Sequence, residues 1–229
     1  MIVAMDPKTG AILAMAARPT YNPNRYYEQP DSLRRNPIVS DAYEPGSTFK
    51  IITAAAALEE GVVRPDDTFF DPGYIQVANR HVRCWLAGGH GTQTFTEAVE
   101  NSCNVVFATL AARLGQESFY KYIQAFGLGG SLGIDYPGEA SGILQQPKNV
   151  GPVELANIAF GQGISVTPIQ LLSALSTIAN GGTLMRPYLV SKIVDSDGVV
   201  VKEFEPEPIR QVISNETSRE LSLILESVV

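Results

Sequence analysis

Tyr43-Glu44-Pro45-Gly46-Ser47-Thr48-Phe49-Lys50 is the stretch from which the rest of this chain can be read. Glu44-Pro45-Gly46 is a turn. From Ser47 to Glu60 the apolar spacing is helical, with Phe49, Ile52, Thr53, Ala56 and Ala57 on one stripe and Gly61 as a stop. Residues three apart on a helix are neighbours on one face, so the Lys50 amine can reach the Ser47 hydroxyl. A serine hydroxyl is a weak nucleophile until a base takes its proton, and a lysine can be that base if burial lowers its pKa. The helix N-terminus adds backbone N–H groups beside a developing oxyanion. A plainer reading stays open for these residues alone: Ser47 as a helix cap and Lys50 as a solvated first-turn residue.

Working outward, Ser102-Cys103-Asn104 opens a second helical pattern, expected from Ser102 to Arg113 with Gly115 after it. Ser102 can pass a proton between Lys50 and a leaving amine. Asn104 can donate to and accept from a substrate amide. Capping explains this triplet equally well when it is taken alone.

The remaining chain organises around these two segments. Residues 2–16 read as a β-hairpin turning on Asp6-Pro7-Lys8-Thr9-Gly10. Residues 18–46, rich in Pro, Asn, Tyr and Arg, read as a long surface loop, and residues 64–92 as irregular with short strand-like pieces. Further helices are expected over 118–126, 153–160 and 168–180, the last two joined by Gly161-Gln162-Gly163. Residues 190–204 read as a hairpin around Asp195-Ser196-Asp197-Gly198. Thr217 to Val229 is amphipathic, with Leu221, Ile224, Leu225 and Val228 on one face. It carries no stop signal, so its end is expected to be imposed rather than set by the fold.

Composition narrows the function. Hydrophobic residues make up 45% and charged residues 18% of 229, as in ordinary globular proteins. A net charge of −7 with no run of Lys or Arg argues against nucleic acid. No segment approaches the ~20 uninterrupted apolar residues of a membrane span, and the first residues lack the basic start of a signal peptide, so the chain itself is expected to be soluble. Two cysteines and two histidines are too few for a disulfide scaffold.

Taken together, several segments resemble the transpeptidase domain of class B penicillin-binding proteins. Tyr43 to Lys50 is similar to that family's nucleophile segment, and Asn101-Ser102-Cys103-Asn104-Val105-Val106-Phe107 to its second motif. Phe160-Gly161-Gln162-Gly163-Ile164-Ser165-Val166-Thr167-Pro168 and Asn180-Gly181-Gly182-Thr183 resemble its later helical segments, and Asp6 to Gly10 its opening hairpin. The matches run through the whole chain in the family's order.

The resemblance implies an α/β (α+β) penicillin-recognising serine transpeptidase, or β-lactamase-like, fold: an antiparallel sheet with a helical subdomain and the active site between them. Residues 1–229 would be one transpeptidase domain. The family's third motif, K-[ST]-G, is expected after Ser102 and does not appear there. Lys8-Thr9-Gly10 has the letters but lies in the opening turn. The domain is therefore expected to be incomplete at its C-terminal end, its remaining sheet strands supplied by a further segment or a partner chain. This chain alone is expected to be inactive.

The implied function is a peptidoglycan D,D-transpeptidase that cross-links stem peptides through an acyl-serine and is inhibited by β-lactams. Ser47 would be nucleophile, Lys50 base, Ser102 proton shuttle and Asn104 substrate clamp. Gly161, Gln162 and Gly163 would border the substrate. No cofactor is required. Expected partners are stem peptides, β-lactams and cell-wall synthesis or division proteins. The expected location is the outer side of the bacterial cytoplasmic membrane, in an enzyme of sporulation or division type. A β-lactamase and a non-enzymatic β-lactam sensor are the other classes to weigh. Glu154, with Asn157 three residues on, is a poor match to the deacylating Glu of class A β-lactamases and reads as helix surface or packing.

An outward-facing enzyme lives where disulfides persist. Cys84 and Cys103 are therefore expected to form one, with an effect on Ser102 and Asn104. Zinc held by Cys84, His90 and Cys103 is the alternative, with His81 and Asp71 as further candidates. Two buried inert thiols are the plain reading.

Overall fold

The computed structural model describes residues 1–228. Its centre is the helix that follows the Tyr43 to Lys50 segment. Gly46–Phe49 forms a 3-10 turn that runs directly into α3 (Lys50–Glu59). Residues Ala54 to Ala57 have short side chains and are fully buried, so neighbouring helices can approach on every side. Those neighbours are α5 (Asn104–Ala125), α7 (Pro168–Ala179) and α8 (Asn215–Glu226). Phe49, Phe95, Phe107, Phe119 and Phe126 are fully buried in this same core, with Phe49 meeting Phe119 edge to face at 6.4 Å between ring centres.

The helices expected over 102–113 and 118–126 are the two arms of α5, broken at Gly115, whose φ of 72° an L-residue rarely adopts. Ser102 lies outside the helix, which begins at Asn104. Helix α6 (Pro152–Ile158) and α7 fall where the apolar periodicity placed them. α7 opens on a reciprocal cap in which the Thr167 hydroxyl accepts from the Gln170 N–H and the Gln170 side chain accepts from the Thr167 N–H. α8 begins at Asn215, capped by the Ser214 hydroxyl, and buries Leu221 and Ile224. Val228 is exposed rather than on the buried face, and Val229 lies outside the described residues.

Every strand pairing is antiparallel and two-stranded. β1 (Ile2–Met5) and β2 (Ile12–Ala16) form the expected opening hairpin, with the Asp6 carboxylate accepting from the Lys8 N–H and the Thr9 hydroxyl across the turn. Val3, Met5, Ile12 and Met15 pack on Ile38, Val39 and Ile169, while Ile2 and Leu13 stay exposed. The loop over 18–46 is less superficial than its composition suggests. It contains a 3-10 turn (Pro23–Glu28) and the short helices α1 (Asp31–Arg34) and α2 (Pro37–Ser40), and α2 sends Ile38 and Val39 fully into the core under the hairpin.

The short strand-like pieces expected over 64–92 are four paired strands. β3 (Thr68–Asp71) pairs with β6 (Gly91–Thr94), and β4 (Tyr74–Val77) with β5 (Arg80–Arg83). Strands of four residues are too short for alternation to stand out in sequence. β6 runs into α4 (Phe95–Glu100), whose Thr94 cap and Glu97 side chain close a reciprocal capping box. Asn180 to Thr183 is not helical: it is the turn from α7 into β7 (Thr183–Met185), which pairs with β10 (Pro208–Gln211). Between them, β8 (Lys192–Val194) and β9 (Val200–Glu203) form the expected hairpin, its turn held by the Asp195 carboxylate. Among the described residues no helix is long and apolar enough to cross a membrane.

Candidate active site

Ser47 is exposed, whereas Lys50, one turn on, is 4% exposed. That difference follows from the helix start: the 3-10 turn leaves Ser47 at the rim, and Lys50 points back along the helix into the core edge. The Lys50 ammonium nitrogen Nζ lies 3.3 Å from Ser47 Oγ, 2.8 Å from Ser102 Oγ, 2.6 Å from the Ser102 carbonyl and 2.7 Å from Asn104 Oδ1. It also sits 5.5 Å from the centre of the Phe107 ring. A lysine ammonium has three N–H donors and no acceptor, so four oxygen partners exceed what it can serve. The neutral amine has a lone pair free for a hydroxyl proton, and Ser47 makes the longest of the four contacts. Burial lowers the Lys50 pKa to about 8, against the opposing pull of Cys103 and Cys84.

Ser102 reaches Lys50 through an unusual backbone. Its φ is 50°, in the left-handed region that non-glycine residues seldom occupy. The end of α4 imposes this. The N–H of Ser102 donates to Val99 O, that of Cys103 to Ala98 O and that of Asn101 to Glu97 O. The chain then turns at Cys103 and enters α5 at Asn104. Strained backbone of this kind concentrates at sites where a side chain must be aimed. Asn104 is held at both ends: Oδ1 accepts from Lys50, and Nδ2 donates to the Arg83 carbonyl at 3.2 Å. The sequence brings Ser47, Lys50, Ser102 and Asn104 together as expected.

The Gly161-Gln162-Gly163 loop divides. Gly161 packs against the nucleophile turn: the Gly46 N–H donates to Gly161 O at 3.1 Å, and a Cβ on Gly161 would come within 2.1 Å of Gly46 O. The Gly163 N–H donates to the Glu44 carboxylate at 2.8 Å. These two residues brace the segment that carries Ser47. Gln162 alone borders the groove that holds Asn104, together with Arg80 and Arg83. Glu44 and Gly46 are thus site residues that the sequence reading passed over; the only signal for them was their place next to Ser47. Glu154 accepts from the Gly151 N–H as the cap of its own helix, in line with its reading as helix surface.

Behind Ser102 stands the second cluster. Asp71 ends β3, Cys84 follows β5, His90 precedes β6 and Cys103 lies between Ser102 and Asn104. Their ligand atoms all lie within 4.8 Å of one another. The expected Cys84–Cys103 disulfide is not what the structure shows: both are free thiols, each with a partner other than the second sulfur. Cys103 Sγ donates to Asp71 Oδ2 at 3.3 Å, and Cys84 Sγ lies 3.3 Å from His90 Nδ1. His90 Nδ1 is itself 2.9 Å from Asp71 Oδ2. Burial would raise the Asp71 carboxyl, but hydrogen bonds from Cys84, His90 and the Gly73 N–H outweigh it and hold the group well below the usual carboxylate range. Burial pushes the Cys103 thiol up to about 12 and raises Cys84 as well. His81 stands apart from this cluster, its ring tilted against that of Tyr74 at 4.7 Å between centres. Trp85, 64% exposed, ties the loop to the second motif through Nε1 donating to Asn101 O at 2.9 Å.

Comparison with known proteins places this geometry. The family model for the penicillin binding protein transpeptidase domain matches residues 1–229. The chain belongs to that family. Stage V sporulation protein D of Bacillus subtilis is 51% identical over 99% of the chain, and the peptidoglycan D,D-transpeptidase FtsI of Escherichia coli is 32% identical over 83%. The chain spans 36% and 32% of those two proteins, about a third of each. Among solved structures, penicillin binding protein 3 of Mycobacterium tuberculosis complexed with aztreonam superposes with a TM-score of 0.89 at 34% identity. That match covers 99% of this chain and 50% of the other. The D,D-transpeptidase domain of a peptidoglycan glycosyltransferase from Eggerthella lenta gives 0.90 at 31%, covering 99% and 60%. The mixed helix and antiparallel-strand architecture is thus that of the penicillin-recognising serine enzymes.

Proposed function

We propose that this chain supplies the nucleophile half of a peptidoglycan D,D-transpeptidase that β-lactams inhibit. The observation that carries the reading is a single buried amine, Lys50 Nζ, within hydrogen-bond reach of Ser47, Ser102 and Asn104 at once. In the proposed reaction, neutral Lys50 takes the Ser47 proton as Oγ attacks the carbonyl carbon of a penultimate D-Ala. The Ser47 backbone N–H, at the start of the helical turn, faces the developing oxyanion. Lys50 returns the proton through Ser102 to the departing D-Ala amine, the C–N bond breaks, and an ester on Ser47 remains. The amine of a neighbouring stem peptide then attacks that ester, and Ser47 recovers its proton. A β-lactam completes the first step and stalls at the second.

Asn104 and Gln162 border the groove where a peptide backbone would lie. The second oxyanion donor and the carboxylate-binding group are assigned to a strand bearing the third motif. The β1–β2 pair has two strands only, which leaves edge backbone open to further strands, from a later segment or another chain. An outward-facing place at the cytoplasmic membrane, in sporulation or division, fits the resemblance to the Bacillus subtilis protein.

Mass spectrometry of the full-length protein after penicillin treatment tests the assignment. A single penicilloyl adduct is expected on Ser47 and none on Ser47→Ala; an adduct on Ser102 would overturn it. The lifetime of the adduct separates this reading from a β-lactamase. With Glu154 occupied as a helix cap, a long-lived ester is expected.

A further inference from the structure

The groove that opens beside Asn104 is cationic, although the chain as a whole is acidic. Arg80, His81 and Arg83 of β5 form one side and Asn157, Phe160 and Gln162 the other, around a volume of about 500 Å³. That is the size of a small-ligand pocket. Among the described residues no carboxylate lines it, while the net charge of the chain is −7. Glu154, one turn before Asn157 and Ile158 on α6, is occupied with the Gly151 N–H.

Both arginines are unpaired. Arg25, Arg34, Arg35 and Arg186 each meet a carboxylate, and Arg113 donates to the Val62 carbonyl and lies over the Phe69 ring. Among the described residues the exposed Arg80 and Arg83 side chains have no hydrogen-bond, ion-pair or ring partner. A free guanidinium offers five N–H donors in a planar fork that matches a carboxylate. Across the groove, the Asn157 and Gln162 side-chain amides also lack partners within the protein, which leaves them for a peptide backbone.

The strand that bears the arginines is fixed relative to the reacting groups. Val82, between them, is buried against Ala108, Ala156 and Phe160. The Asn104 amide donates to the Arg83 carbonyl at 3.2 Å and accepts from Lys50 at 2.7 Å, and Lys50 Nζ is 3.3 Å from Ser47 Oγ. Three short contacts in series thus connect Ser47 to the Arg83 backbone. An extended peptide advances about 3.3–3.6 Å per residue. A peptide whose reacting carbonyl lies at Ser47 therefore brings the side chains just before it within reach of a long arginine.

We propose that Arg80 and Arg83 bind a carboxylate carried by the acyl-donor peptide ahead of its D-Ala-D-Ala pair, and so select acidic over neutral donors. This rests on the transpeptidase reading and names the charge of the peptide that the site prefers. The two arginines determine specificity away from the bond that breaks, and leave the acyl transfer to Ser47, Lys50 and Ser102. Being exposed, they act through charge-assisted hydrogen bonds that salt weakens.

Two synthetic thioesters test the subsite on the full-length protein. Both end in D-Ala joined to thioglycolate. They differ only in the two residues before it, Glu-Glu in one and Gln-Gln in the other, and the released thiol is read with a chromogenic disulfide. The acidic ester should be favoured by roughly 10-fold in kcat/KM, the scale of one charge-assisted hydrogen bond. Raised salt should narrow that preference. Arg80→Gln and Arg83→Gln should each reduce it, and the double variant should abolish it. A preference that survives in the double variant would overturn the subsite. Arg219→Gln makes the same change in net charge on the exposed side of α8 and should leave the preference intact; an equal fall there would assign the effect to the overall field and overturn the subsite. Equal rates on the two esters, in parent protein that penicillin labels at Ser47, would overturn the subsite alone. Parent protein that penicillin leaves unlabelled at Ser47 would overturn the transpeptidase reading and the subsite with it.

Discussion

Ser47 and Lys50 stand on successive turns of one short helical segment, whereas Asp71, Cys84, His90 and Cys103 reach their common centre from four separate segments. The first pair needs only helical geometry to meet. The second set needs two strand pairs, a helix end and a helix start to fold correctly first. Ser102 and Asn104 join the two regions: they face Lys50 on one side, and the chain between them enters the cluster on the other. Chemistry that depends on proton transfer can therefore sit on a local motif, while its aim is set by contacts far apart in sequence.

Removing the base from the local side should have the largest effect. Lys50→Arg keeps the charge but cannot be deprotonated, so acylation by a fluorescent penicillin should fall by roughly 10²–10⁴-fold while the circular dichroism spectrum is retained. Near-normal labelling would mean that another group takes the Ser47 proton and that Lys50 is only a clamp for Ser102 and Asn104.

Gly161→Ala probes the non-local bracing of the same segment. A Cβ there meets the Gly46 backbone at a φ of 78°, so a loss of about 1–3 kcal/mol in stability is expected, measured by urea denaturation. Acylation should slow as well, because Gly46 precedes Ser47, the proposed nucleophile. A variant as stable as the parent would show that the loop is free to move away from Ser47.

The pH dependence follows from burial of Lys50. With its pKa lowered to about 8, the amine is increasingly protonated, and so without a free lone pair, as pH falls below that value. The acylation rate constant should then drop about tenfold per pH unit, since each unit protonates another tenfold of the base. A flat profile across the same range would break the assignment of Lys50 as base.

The smallest effect is expected at the start of α4, the helix that delivers Ser102. Thr94→Ala removes one cap and should cost about 1 kcal/mol in stability. If Ser102 is held by the cluster behind it rather than by α4 alone, the acylation rate of folded protein should stay unchanged. A matching loss of acylation would place the control of Ser102 in the local helix instead.

The nucleophile segment, the second motif, the opening hairpin and most helices were legible in the sequence. Each is written in spacing that a short window can hold: three residues from Ser47 to Lys50, or an apolar stripe ending at a glycine. The four-residue strands β3 to β6 were legible only as short strand-like pieces; their bounds and pairing were not, because their partners, and not their own alternation, make them strands. Nor was the role of Gly161, which depends on how close Gly46 comes in space.

The sequence alone therefore determined the family, and it singled out Ser47 and Lys50 as the proposed nucleophile and base, through local periodicity and motif order. The tertiary structure alone decided that Lys50 is buried with its pKa lowered, that Ser102 takes a left-handed backbone to reach it, and that Cys84 and Cys103 face Asp71 and His90 instead of pairing with each other. Burial, strain and the meeting of distant side chains are properties of packed space, and no window of sequence contains them.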